Sequence, residues 1–339
     1  MQNAYKAVEV TSPRKLNLVT RPVPEPGPSQ VTVRVEAAGI SHSDVATVEA
    51  VFPGIRYPRV PGHEIAGSIE ALGQNVSGWK TGQRVGIGWF GGECRHCEAC
   101  RRGDFVNCEN LIISGITTDG GYAEVVIAEL RALASILDVV ASADAAPLLC
   151  AGVTTYNALR NANLRAGDLV AIQGIGGLGR LAVQFARRMG FRTVAIARGK
   201  EKEKLARELG AHEYIDSASG DPGEELRKWG GAKAILAIAA NSKSQGPLMG
   251  GLATRGKLIV VGVGSEPIEI NPLQLIVGSR TIQGEVVGTS IDEEDTLDFS
   301  ALQAVRPMIE RVPLEQAPEA YAKMMRNEAR FRMVIDFSL

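Results

Sequence analysis

The sequence predicts a two-lobed protein of class α/β plus β, with a β-rich lobe joined to a doubly wound parallel sheet. Three observations predict it. The first third of the chain is a series of short strand-like runs punctuated by Gly and Pro. Near Ala145 the texture changes to alternating strand and helix periods. Gly174, Gly176 and Gly179 then form G-x-G-x-x-G between the apolar strand LVAIQ and the helix LGRLAVQFARRMG. With 339 residues, 45% of them hydrophobic, the chain is long enough to bury two apolar cores.

RPVPEPGPSQ reads as a Pro/Gly turn and QVTVRVEAAGIS as an alternating strand, with GHEIAGSIEALG and GQRVGIGW as further strands. No long helical period interrupts them. LLCAGVTTYNALRNANL is helix-like, and LVAIQGIGGLG, RLAVQFARRMG and FRTVAIA then follow the strand, turn, helix, strand order of a βαβ unit. EKEKLARELGA is an amphipathic helix, while AKAILAIAA and KLIVVGV are apolar runs suited to strands buried on both faces of a parallel sheet. After GSRTIQGEVVGT, the segment DEEDTLDFSALQAVRPMIE reads as a polar helix and FRMVIDF as a closing strand. The expected division is residues 1–153, 154–290, and a segment 291–339 that returns to the first lobe. There is no internal repeat and no low-complexity linker.

A formal net charge of -1 without basic clusters argues against nucleic acid or an anionic membrane as the partner. No apolar run approaches the ~18 residues of a membrane span. MQNAYKAVEV lacks a charged region followed by an apolar stretch, so the protein is expected to be cytoplasmic.

Four of the five cysteines, Cys94, Cys97, Cys100 and Cys108, fall in GGECRHCEACRRGDFVNCEN as C-x2-C-x2-C-x7-C. That is the spacing of a closed zinc site, in which four thiolates surround one ion at ~2.3 Å. Gly91, Gly92 and Gly103 supply backbone freedom for the wrapping. The alternative, a pair of disulfides, needs an oxidising compartment, whereas the rest of the chain reads as cytosolic. Four thiolates leave no open position, so this ion is expected to hold a lobe together and to catalyse nothing.

The run Gly174-Ile175-Gly176-Gly177-Leu178-Gly179 lets backbone approach a pyrophosphate, which then sits on the free N–H groups of the following helix. The alternative is a tight turn without a ligand. An NAD-preferring site usually has an acidic residue about 20 positions on, bonding the ribose hydroxyls. Here that strand ends Ala197-Arg198-Gly199-Lys200, with no carboxylate. Arg198 and Lys200 suit a 2′-phosphate, so NADP(H) is favoured over NAD(H). The competing reading is two solvated charges at a helix start.

GISHSD, GHEIAG and LLCAGVTTY complete a constellation. With them the chain resembles, nearly end to end, the zinc-dependent alcohol dehydrogenases of the medium-chain dehydrogenase/reductase family. The four-cysteine loop, the GIGGLG loop, TIQGEVVGT and FRMVID share the resemblance. It implies a GroES-like catalytic domain beside a Rossmann domain. It also implies a second, catalytic zinc held by a Cys in a G-x-C-H-[ST]-D segment, the His of GHE, and a Cys shortly before the cofactor lobe. This chain offers Ser41, His63 and Cys150.

The replaced ligand has a physical consequence. A thiol of reference pKa ~8.5 ionises readily on zinc, whereas a serine hydroxyl is a harder and far less acidic ligand. Two thiolates and a neutral imidazole make the site formally uncharged; Cys150 alone leaves one net positive charge. Glu64, beside His63, could swing in to supply the missing charge. A water-bridged weak site, a zinc-free pocket, a Cys→Ser replacement in an otherwise ordinary enzyme, and a purely structural Ser41 are the other readings left open.

The resemblance implies further roles. Ser43 would bond the substrate oxygen and start a proton relay, and His42 would pass the proton to solvent near the cofactor pyrophosphate. Both roles suit their chemistry, since a hydroxyl donates and accepts and imidazole titrates near neutrality. Asp44 would orient His63. Thr154 would contact the nicotinamide and Arg332 the pyrophosphate, while Phe52 and Trp89 would narrow the substrate pocket, core packing being their alternative. The implied function is a reversible NAD(P)-dependent alcohol dehydrogenase or aldehyde reductase for a primary or small secondary alcohol. The alternatives are a zinc-independent NADPH reductase of C=C or iminium bonds, and a non-catalytic NADP(H)-binding protein. A homo-oligomer, tetramer or dimer, is expected, with its exposed edge among the strands from Gly264 to Val287.

Overall fold

The computed structural model describes residues 3–339. The chain forms two compact units: the N-terminal part through Val153 together with Val287–Leu339, and Thr154–Val286. The expected fold class is the one observed.

The first unit is built on a seven-stranded sheet. Its central strand, Gln30–Gly39, pairs antiparallel with Ile65–Leu72 and with Arg332–Asp336, and its first half also takes Val125–Glu129. Because neighbours crowd it, the strand is buried on both faces, and the alternation read in QVTVRVEAAG does not separate core from solvent. The FRMVID segment thus lies in this sheet, in register Val334 to Gly39. A core of β-branched side chains, among them Val8, Val31, Val33, Ile65, Ile69 and Val85, fills the space behind.

Two departures from the sequence reading concern helices. LLCAGVTTYNALRNANL is not one α-helix: Ser142–Pro147 and Val153–Arg160 flank a π-helical turn, Leu148–Gly152, that carries Cys150. Wide turns of this kind re-aim a side chain without ending the helix. The late polar helix is shorter than its sequence suggested. It spans Ser290–Gln303, stops where Ala304 turns left-handed, and leaves Ile309 to begin a strand.

The second unit is a six-stranded parallel sheet. Its strands are Leu169–Gln173, Arg192–Ala197, Glu213–Asp216, Ala232–Ala237, Leu252–Val260 and Thr281–Gly284. Taken in chain order as one to six, they lie in the order three-two-one-four-five-six, so the sheet reverses direction beside the first strand. In such sheets a dinucleotide binds at that crevice, outside the carboxyl ends of the strands. Thr281–Gly284 is an edge strand. Among the described residues no helix is long and apolar enough to cross a membrane.

Candidate metal centres and cofactor loop

In the first unit, Asp44 organises the site. The turn His42–Asp44 is closed by a reciprocal cap in which the Ser43 N–H donates to the Ser41 hydroxyl at 3.4 Å and the Ser41 N–H donates to Asp44 Oδ2 at 2.9 Å. The Tyr122 hydroxyl donates to the same oxygen at 2.8 Å. The other carboxylate oxygen, Oδ1, stands 3.0 Å from His63 Nδ1. That contact assigns the proton to Nδ1 and leaves a lone pair on Nε2. Nε2 is buried and, among the described residues, has no hydrogen-bond partner. Trp89 lies edge-on to the imidazole, with ring centroids 5.0 Å apart and planes at 87°, which limits rotation of the ring.

Cys150 is also buried. Burial pushes its thiol up to about 12, with Asp44 and Glu293 pushing the same way and a hydrogen bond from Ser41 opposing them. Ser41 therefore lies against Cys150. The ligand atoms of His63, Glu64 and Cys150 all lie within 4.8 Å of one another. An orphaned imidazole nitrogen beside a thiol and a carboxylate is a donor set that zinc accepts, so these residues fit a metal ion.

Glu64 does not enter this group with a free charge. It is 0% exposed and is held by Arg332, whose Nε donates to Oε2 at 3.2 Å while Nη2 bonds the other oxygen. The carboxylate expected to make up for Ser41 is neutralised by the guanidinium expected on a pyrophosphate. His42 and Ser43 are exposed. Phe52 and Trp89, read as pocket wall, pack in one apolar cluster with Ala46, Ile113 and Ile116.

The four-cysteine loop folds as a cage. Cys94, Cys97, Cys100 and Cys108 are free thiols whose sulfurs lie within 4.8 Å of one another. The Cys94–Cys100 and Cys97–Cys108 separations are both 4.0 Å. A tetrahedron with ~2.3 Å metal–sulfur bonds has edges of about 3.8 Å, so these two separations are close to what an ion requires. The backbone N–H groups of Cys94 and Asn110 already point at the Cys108 sulfur.

In the second unit each glycine of the loop has its own reason. Gly174 has φ +97 and packs against the Ala239 backbone, and a side chain at Gly179 would collide with the Gly174 carbonyl. Gly176 faces open space, where a pyrophosphate requires bare backbone. Gly177 and Leu178 begin the helix Gly177–Arg188. Thr154 is buried in the first turn of Val153–Arg160. Arg198 and Lys200 are exposed and, among the described residues, make no ion pair.

Sequence reasoning missed several residues here. The strand end at Arg198 does lack a carboxylate, but strand pairing sets Asp216 beside Ala197, and Asp216 Oδ1 accepts the Gly199 N–H at 2.8 Å. Only the pairing register brings it there. Tyr122 lies 78 positions from Asp44, and no local pattern ties them. Glu293, Thr296, Leu297 and Ser300 form the buried face of Ser290–Gln303. Their i, i+3, i+4, i+7 spacing was present in the sequence, but three of the four are polar, so a hydrophobic period could not show it.

Comparison with known proteins agrees with this geometry. Residues 27–138 match the alcohol dehydrogenase GroES-like domain and residues 177–302 the zinc-binding dehydrogenase domain. The chain is 42% identical over 320 residues to an alcohol dehydrogenase of Aspergillus sp. (strain MF297-2), covering 94% of each chain. It is 34% identical over 343 residues to the NADP-dependent alcohol dehydrogenase C of Mycobacterium bovis, covering 99% of this chain and 98% of that one. A cinnamyl alcohol dehydrogenase structure from Sorghum bicolor superposes with a TM-score of 0.88 at 30% identity, covering 99% of this chain and 98% of that one. The chain belongs to the zinc-type medium-chain alcohol dehydrogenase family.

Proposed function

We propose that this protein is an NAD(P)-dependent alcohol dehydrogenase that interconverts a primary or small secondary alcohol and its carbonyl product. The observation that carries the metal-assisted form of this reading is His63 Nε2, buried and unpartnered, with its other nitrogen fixed by Asp44 and the Cys150 thiol nearby. His63 and Cys150 would hold the ion, with Glu64 as the further oxygen donor. When bound, zinc supplies Lewis acidity to the substrate oxygen, and the nicotinamide dinucleotide supplies or accepts the hydride.

The remaining roles belong to the chain itself. Asp44 keeps the His63 lone pair facing the metal position, and Tyr122 and the Ser41 N–H keep Asp44 in place. Ser43 would take the substrate hydroxyl proton and His42 pass it to solvent, a relay their exposure favours. Phe52 and Trp89 would shape a compact apolar pocket, favouring a small alcohol over a sugar or polyol. The glycine loop would hold the pyrophosphate, with Thr154 at the nicotinamide, and Arg332 could serve a phosphate only by sharing itself with Glu64. Arg198 and Lys200, both without an ion pair among the described residues, support NADP(H) over NAD(H), and the name of the Mycobacterium relative agrees. The four cysteines would hold a structural ion. Oligomers would form along the edge strand Thr281–Gly284, near exposed Leu273, Ile276 and Val277.

Ser41 favours one other reading, a zinc-independent NADPH reductase of activated C=C or iminium bonds. Ser41 is satisfied by Cys150 and Glu64 by Arg332 without any metal. Steady-state rates with small alcohols, aldehydes and enones, before and after chelation, separate the two. Alcohol oxidation lost on chelation and regained with zinc supports the dehydrogenase; enone reduction indifferent to chelator refutes it.

A further inference from the structure

Glu293 is a fully buried carboxyl that the site described above does not use. It is 1% exposed, and among the described residues neither oxygen has a well-formed hydrogen bond, the Gly88 backbone being the one group that favours its charged form. It sits in the first turn of Ser290–Gln303, whose buried face packs on the π turn carrying Cys150. The carboxyl is wedged at Gly88: a Cβ there would strike it and would also lie 2.5 Å from the Leu149 carbonyl oxygen. Gly88 directly follows the strand Arg84–Ile87, and Leu149 directly precedes Cys150. The carboxyl thus lies against the backbone at the end of that strand and beside the turn that carries Cys150.

The charges around it give no relief. Burial raises its carboxyl well above the ordinary range, the neighbouring Asp292 and Glu294 add to this, and only the Gly88 backbone offsets them in part. Such a group is costly in an apo-protein unless a cation enters nearby. Among the described residues, the ligand group that includes the Cys150 of that turn is His63, Glu64 and Cys150; Glu293 is not one of its ligands, but its charge bears on the Cys150 thiol. That group is short of negative charge, because position 41 is a hydroxyl and Arg332 cancels Glu64. Asp44 is committed to His63, Tyr122 and the Ser41 N–H.

We propose that Glu293 is the counter-charge of the His63–Cys150 metal centre, supplying through space the negative charge that Ser41 does not carry. The inference rests on the metal-assisted reading above. It makes Glu293 a residue that acts on metal affinity while destabilising the metal-free protein, the opposite of what a structural residue does.

The test is competition for zinc between a chromogenic chelator and the full-length protein, from which mild chelation has removed the more weakly held ion. Wild type, Glu293→Gln and Glu293→Leu are compared, with thermal unfolding of the same metal-depleted samples. Both variants should bind the second ion about tenfold to hundredfold more weakly, leave the four-cysteine ion unchanged, and melt at higher temperature than wild type when depleted. Gln keeps the shape and polarity of the side chain without its charge, so E293Q separates charge from packing. Undiminished affinity in E293Q, or variants that melt lower than wild type, overturns the inference and leaves the metal reading standing. A wild type that never takes up a second ion overturns both.

Discussion

Arg332 holds the Glu64 carboxylate, Nε to Oε2 at 3.2 Å, although the two residues lie 268 positions apart. Both are largely withdrawn from solvent, the side chains being 11% and 0% exposed. The pair would decide how much charge a metal held by His63 and Cys150 could draw from Glu64.

Arg332→Gln should separate the two effects of that pair. Removing one partner of a buried ion pair costs about 3–5 kcal/mol, because the other charge is left uncompensated. Metal-depleted R332Q should therefore unfold at clearly lower temperature than wild type. With Glu64 released, its affinity for the second ion should rise, and R332Q/E64Q should lose that gain. Chelator competition and thermal melts on the same samples check both statements.

Ser41→Cys should tighten the second ion. The Ser41 side chain already contacts Cys150, so a thiol placed there joins the existing donors and brings one further negative charge. Affinity should rise by about tenfold or more, at least the effect of an outer-sphere change. Turnover with alcohols should rise with zinc occupancy. Unchanged affinity would mean that the Ser41 position does not face the ion.

Arg198→Ala should shift coenzyme choice. A hydrogen bond to a charged group is worth about 1.5–3 kcal/mol, so kcat/KM for NADPH should fall about tenfold or more. The value for NADH should hardly change. Lys200→Ala should act in the same direction, while equal losses with both coenzymes would assign Arg198 to the shared pyrophosphate.

Glu293 makes the stability of the metal-depleted protein depend on pH. Its folded carboxyl titrates well above the ordinary value of 4.5. Between those limits the native state binds more protons than the unfolded chain, so stability falls as pH rises from about 4.5 upward. E293L lacks this term. The melting-temperature difference, E293L minus wild type, should be small near pH 4.5 and grow with pH; a flat difference would show that Glu293 is not the titrating group.

Much of this architecture is legible in the sequence because its signals are local. The glycine loop sits between its strand and helix within a dozen residues, and the cysteine cage within fifteen, so spacing alone reports the chemistry. His63, Cys150 and Asp44 were found through short segments of a resemblance. What stayed hidden depends on long-range register: Arg332 on Glu64, Tyr122 on Asp44, and Asp216 beside Ala197. Glu293 was hidden for another reason. A buried carboxyl on a polar-looking helix breaks the rule that burial follows hydrophobicity, and such breaks gather at functional sites.

Zinc per chain, measured in protein purified without chelator or added metal, tests the central claim most directly. Two ions, one released by mild chelation with loss of alcohol oxidation and one retained, is the predicted result. A single, chelation-resistant ion would place metal only among Cys94, Cys97, Cys100 and Cys108, and would contradict a metal centre at His63 and Cys150.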